Sequence, residues 1–159
     1  MNVLYNIFKQ PTTGLRIIAD DGLRVLDTTS DWLDLQKDPY SQEGKGDNRP
    51  QVIIGPAKGV SSDAFIGLGS HEMHMQVEVR IITRDHGDNG MGYTLNDGEV
   101  TCNKVRDAVV LLVEANKSNP GGDGSIVACW VAQPGSARNV PEGPSKWLIT
   151  MQVEFMWLL

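Results

Sequence analysis

The decapeptide Glu72-Met73-His74-Met75-Gln76-Val77-Glu78-Val79-Arg80-Ile81 alternates polar and apolar residues without a break. Met73, Met75, Val77, Val79 and Ile81 share one parity, while Glu72, His74, Gln76, Glu78 and Arg80 share the other. A period of two sends successive side chains to opposite faces, so this stretch predicts a long antiparallel strand with one buried and one wetted face. A second such pattern follows later. Trp147, Ile149, Met151, Val153, Phe155 and Trp157 fall on one face, and Thr150, Gln152 and Glu154 on the other. Phe155-Met156-Trp157-Leu158-Leu159 is apolar on both parities, which predicts burial in the sheet or at a subunit boundary.

Between these strands the period changes. Cys102, Val105, Val109 and Leu112 recur every three or four residues, and Ala108, Leu111 and Ala115 widen the stripe. Asn96 and Glu99 fit a capping-box variant, so a helix is predicted from there to about Asn116, lying flat on the sheet. Ser118-Asn119-Pro120-Gly121-Gly122 then breaks the chain. Residues 126–131 are apolar on both parities, which predicts an inner strand or one edge of an oligomer contact. Upstream, Gln51-Val52-Ile53-Ile54 predicts a short strand closed by Gly55-Pro56. The fold class read from these pieces is α+β, an antiparallel sheet of about four strands packed by one main helix.

The first third carries weaker signals. Leu4, Ile7 and Phe8 fit a short amphipathic turn that Pro11 and Gly14 end. Residues 15–27 read either as a helix on Leu15, Ile18, Ala19, Leu23 and Leu26 or as a hairpin turning at Asp21-Gly22. Thr29 or Ser30 can cap a short helix using Trp32, Leu33 and Leu35, which stops before Pro39. The chain of 159 residues is read as one domain, with 1–47 as an N-terminal extension, helical or hairpin, and 48–159 as the α+β core.

Composition narrows the function classes. About half the residues are apolar or glycine, which excludes disorder throughout. No run approaches the ~18 apolar residues of a membrane span, and the N-terminus lacks a secretory pattern, so no membrane partner and synthesis in the cytosol are predicted. The net charge is −6, from 14 basic and 20 acidic residues, which argues against a broad phosphate-neutralising surface. Cys102 and Cys129 are too few for a disulfide scaffold or a structural zinc site and read as reduced core residues.

Catalytic patterns are weak throughout, and the expectation is no enzyme, no cofactor, and no catalytic, cofactor-binding or metal residue. His71 and His74 would point to opposite faces of a strand, unlike the two histidines of a helical H-E-x-x-H pair. Residues 85–96 have Gly87 and Asn96 where a calcium loop needs an oxygen ligand and a bidentate Glu. Gly67-Leu68-Gly69 lacks a third glycine at the dinucleotide spacing and precedes a strand. Asn116-Lys117-Ser118 matches a glycosylation acceptor but reads as a helix C-terminus. Connections at 38–50, 57–70, 85–96 and 132–146 exceed the ordinary length of about 4–6 residues, and those at 57–70, 85–95 and 133–146 are the expected contact surfaces for partners.

Arg49-Pro50-Gln51-Val52-Ile53-Ile54-Gly55, the strand at 74–83, the helix at 96–115 and the strand at 146–155 together resemble the tail terminator, or tail completion, proteins of long-tailed bacteriophages. The resemblance is one of pattern and covers residues 48–159, the first 47 departing from it. It implies a virion protein of the tail or neck, made in the host cytoplasm. Such a subunit joins a homohexameric ring on the tail tube, stops tube growth and meets the head connector or a neck protein. Genome DNA would pass through the lumen without specific binding. Another neck component, such as a head-completion or connector adaptor protein, is the nearest alternative. A small metal-dependent hydrolytic enzyme using His71, His74, His86 and nearby carboxylates is the alternative from another class.

Overall fold

The computed structural model describes residues 2–10, 13–15, 33–37, 50–65, 71–85, 98–140 and 143–158. Among the described residues two helices, α1 (Asn2–Phe8) and α2 (Gly98–Ala115), accompany six strands: β1 (Asp34–Lys37), β2 (Gln51–Phe65), β3 (His71–Arg84), β4 (Ala128–Gln133), β5 (Arg138–Val140) and β6 (Gly143–Leu158). The sheet runs β1-β2-β3-β6-β4, with β5 also on β6. All pairings are antiparallel except β1 with β2. The expected α+β class is what the chain adopts, with two short strands more than the expected four.

The two alternating segments form the centre. β3 and β6 pair from Glu72↔Leu158 to Arg84↔Lys146, so side chains in register share a face. Val77, Val79 and Ile81 join Ile149, Met151, Val153 and Phe155 on one face, all fully buried, with Val52 and Ile54 of β2 beside them. Cys102, Val105, Val109 and Leu112 of α2 close this face, as their spacing predicts. Burying each such side chain is worth roughly 1.5–3 kcal/mol, which is what holds the helix flat. On α1, Leu4 and Phe8 are one turn apart and both buried in the same cluster.

The N-terminus of α2 is fastened to the ends of the two central strands. Asp85 Oδ1 accepts from the Gly98 N–H at 2.7 Å and from Trp147 Nε1 at 3.1 Å, and Thr83 Oγ1 donates to the Gly98 carbonyl. Gly98 permits this approach: a Cβ there would stand 2.8 Å from the Arg84 carbonyl carbon and from the Trp147 ring. A carboxylate at a helix N-terminus satisfies an orphan N–H and meets the positive end of the dipole. Asp85→Ala is expected to cost about 1–2 kcal/mol, read as a lower urea midpoint, with Asp85→Asn recovering part of it. An unchanged midpoint in Asp85→Ala would remove this fastening role.

Three sequence expectations are corrected. Gly55-Pro56 does not close β2. The register passes from Ile54↔Val79 to Ala57↔Val77, so one extra residue on β2 forms a bulge there, and the strand continues to Phe65. A bulge accommodates a proline because the extra residue makes no ladder bond. Residues 57–65 are therefore strand; 66–70 lie outside the described residues.

The helix expected around Leu33 and Leu35 is instead β1, whose residues 34–37 pair with 51–54 while Leu33 and Leu35 turn inward. Tertiary pairing along β2 overrides the local helical spacing. Thr29, Ser30 and Trp32 lie outside the described residues, as do all but Leu15 of the stretch 15–27 read as helix or hairpin and residues 38–49 of the connection at 38–50. The stretch 132–146, expected as a long connection, holds β5 and the start of β6, which pair with each other. Among the described strands β4 lies at the edge on the same side of β6 as β5, so the inner-strand reading of 126–131 is not what the chain adopts.

Candidate functional site

The face of the sheet opposite α2 carries the even-numbered residues of β3. In register, Gln76 faces Glu154, His74 faces Met156, and Trp130 of β4 faces Glu154 from the other side. The His74 ring stands between two carboxylates. Its Nδ1 meets Glu154 Oε1 at 2.5 Å, its Nε2 meets Glu72 Oε1, and Gln76 Nε2 donates to the second Glu154 oxygen at 3.2 Å. Trp130 packs edge-on against the ring at 5.6 Å. The His74 and Glu154 side chains are only 14% and 15% exposed.

The hydrogen bond to Glu154 raises the His74 pKa above 6.5, burial opposes it, and Glu72 raises it further. This follows from the ring's inventory, because only the doubly protonated imidazole has an N–H for each carboxylate.

The two carboxylates lie on opposite nitrogens of the ring. A cation takes one imidazole nitrogen, whereas these carboxylates do not converge on a point. Among the described residues no group of three His, Cys, Asp or Glu side chains is placed to hold a metal ion. The backbone of His71 starts β3 in register with Phe65, and His86 lies outside the described residues.

The thiols are no better placed for chemistry. Burial pushes Cys102 up to about 12 and Cys129 up to about 11. Both stay protonated at neutral pH, and their Sγ atoms lie against backbone carbonyls of Ile81 and Asn116.

Of the expected contact loops, the described parts are mostly sheet edge. β1 pairs only with residues 51–54, so among the described residues the stretch 57–65 of β2 has β3 alone as a neighbour. On the far side, Lys117 and Asn119 bond across to Cys129 and Val127 and cover the start of β4. In the loop at 85–95 the described residue, Asp85, is taken up by the helix cap. Sequence reading missed the join between His74 and Glu154, which lie 80 residues apart, because no local pattern encodes that register.

Among the described residues, large apolar side chains are exposed at Val100 and Leu111 on the outer surface of α2 and at Val127 and Leu158 elsewhere. A groove of about 420 Å³ between α1 and the turn after α2 is lined by Val3, Ile7 and the amides of Asn6, Gln10, Asn116 and Asn119. Neutral amides offer hydrogen bonds but no acid–base pair. Among the described residues no helix is long and apolar enough to cross a membrane.

The sequence matches no family model and no curated protein. Among solved structures the fold is similar to a chain of the virion of a native gene transfer agent particle, with a TM-score of 0.59 and 12% sequence identity. The superposition covers 98% of this chain and 92% of that one, so the likeness is one of fold over nearly the whole length of both.

Proposed function

We propose that this chain is a structural, non-enzymatic subunit of a virion, acting as a tail terminator that forms a ring at the end of a phage tail tube. The observation that carries this reading is the near-complete match in fold, over 98% of this chain, to a chain of a virion particle. The sequence resemblance at 48–159 points to the same class by a separate route. We read 1–159 as one domain, supported by a single buried cluster that takes in α1, the sheet and α2.

The mechanism is geometric. A subunit with two different contact surfaces repeats around an axis and closes a ring. The last tube ring then meets a surface that fits it but offers no site for another tube subunit, while the other side of the ring receives the head connector. The acidic balance, net −6, suits a protein beside which DNA slides without adhering.

Electron microscopy of the purified protein tests the reading, with six-fold rings expected. Deleting the gene is expected to give tails of uncontrolled length; normal-length tails left unattached to heads would instead make the protein a connector adaptor. A protein that stays monomeric at high concentration and is missing from tail ends overturns the ring.

A further inference from the structure

The His74 cluster sits at one end of the central ladder. On β3 the buried inner positions begin at Val77, while residues 72–76 are all half-exposed. On β6, Phe155 is fully buried, while Met156 and Trp157 are half-exposed and Leu158 is 45% exposed. Past Val77 and Phe155 this end therefore has little core of its own, and its cross-strand side-chain contacts weigh more in keeping it shut.

Glu72 belongs to β3 and Glu154 to β6, so one ring joins carboxylates from both strands. Without its second proton, the ring would turn a lone pair towards one carboxylate, and two acids would remain close together in a half-buried place. Among the described residues the cations on this side include Lys58, on β2 and so across β3 from Glu154, and Arg80, further along β3 beside Glu78. β3 adds neutral Gln76 and, one row on, Glu78, which is 3.7 Å from Arg80. β4 supplies Trp130, and β2 places Val60 in register with His74 and Lys58 in register with Gln76.

We propose that His74 is a proton-operated latch: its imidazolium, tying Glu72 to Glu154, holds residues 72–76 of β3 against 154–158 of β6, and loss of the ring proton releases that end. This stands apart from the virion reading and holds whatever the particle. The sign follows from the raised pKa. The latch contributes fully below the ordinary histidine value and is lost as pH rises through the folded-state value.

The test combines nitrogen-15 spectra of the histidine rings with amide hydrogen exchange over a pH series, the exchange rates normalised to those of an unstructured chain. Both His74 nitrogens are expected to carry protons at the acid end of the series, and the ring to titrate above 6.5. Protection of amides at 72–76 and 154–158 is expected to fall severalfold across that titration while 77–83 is unchanged. In His74→Gln, which keeps polar contacts but cannot titrate, protection should be independent of pH. Glu154→Gln, should His74→Gln fold poorly, is expected to lower both the titration and the step in protection. Titration at or below 6.5, no step in the wild type, or the same step in His74→Gln overturns the latch.

Discussion

Replacing Phe155 with alanine is expected to lower the free energy of unfolding by about 3–5 kcal/mol. The ring is fully buried on the helix-facing side of β6, in register with Met75 of β3 and Cys129 of β4. Truncation therefore opens a cavity where three strands meet, and neighbours fixed by ladder bonds can fill it only partly. For a domain whose whole stability is typically about 5–15 kcal/mol, that loss puts the unfolded state within reach at moderate temperature. Urea denaturation followed by tryptophan fluorescence measures it. Leu158→Ala, at a position 45% exposed, should change stability by no more than about 0.5 kcal/mol. Similar losses in the two variants would mean that Phe155 is not at the centre of the core.

The second large effect is expected at Gly135, where β4 ends and the chain turns along β6 towards β5. Its φ is +69°, and a Cβ there would stand 2.3 Å from the Thr150 carbonyl oxygen and 3.1 Å from Ile149 Cγ2. The first contact is with backbone in the middle of a strand, which cannot swing aside as a side-chain tip can. Gly135→Ala combines a left-handed conformation costing roughly 1–2 kcal/mol with overpacking of about 1–3 kcal/mol. The expected loss is therefore about 2–5 kcal/mol by the same denaturation measurement. It also pushes away the Gly135 carbonyl, which accepts from Arg106 Nη1 of α2 at 3.3 Å. Ser136→Ala, next along and exposed, should leave the midpoint unchanged; an equal effect there would point to a general sensitivity of the loop.

What the sequence disclosed follows from how far each signal reaches. The alternation at 72–81 and 147–157 and the three-to-four spacing on α2 are local, and each survives as β3, β6 and the main helix, although Leu111 and Ala115, expected to widen the buried stripe, are exposed. The segments that were misread depend on partners. β1 is a strand because Gln51–Ile54 offers it an edge, although Leu33 and Leu35 alone fit a helix equally well. Pro56 looks like a terminator until β3 supplies a ladder that tolerates one extra residue.

The same holds at the site. His74 and Glu72 were visible as neighbours on one strand face, but Glu154 became their partner only through the register of β3 with β6. Asp85 read as part of a loop because its two donors, on Gly98 and Trp147, lie 13 and 62 residues away.

The position of β6 bears on how the chain is made. Among the described strands it follows the other five in sequence yet lies between β3 and the β4–β5 edge, so the central pairing closes only after those five have left the ribosome. Until then β3 and α2 have no central strand between β3 and β4 to bury their apolar faces. Sequence separation across this pairing, from 62 residues at Arg84↔Lys146 to 86 at Glu72↔Leu158, slows closure by the entropy of bringing distant segments together. Nascent chains stalled before β6 should therefore remain sticky and chaperone-bound, and release should coincide with the emergence of this strand.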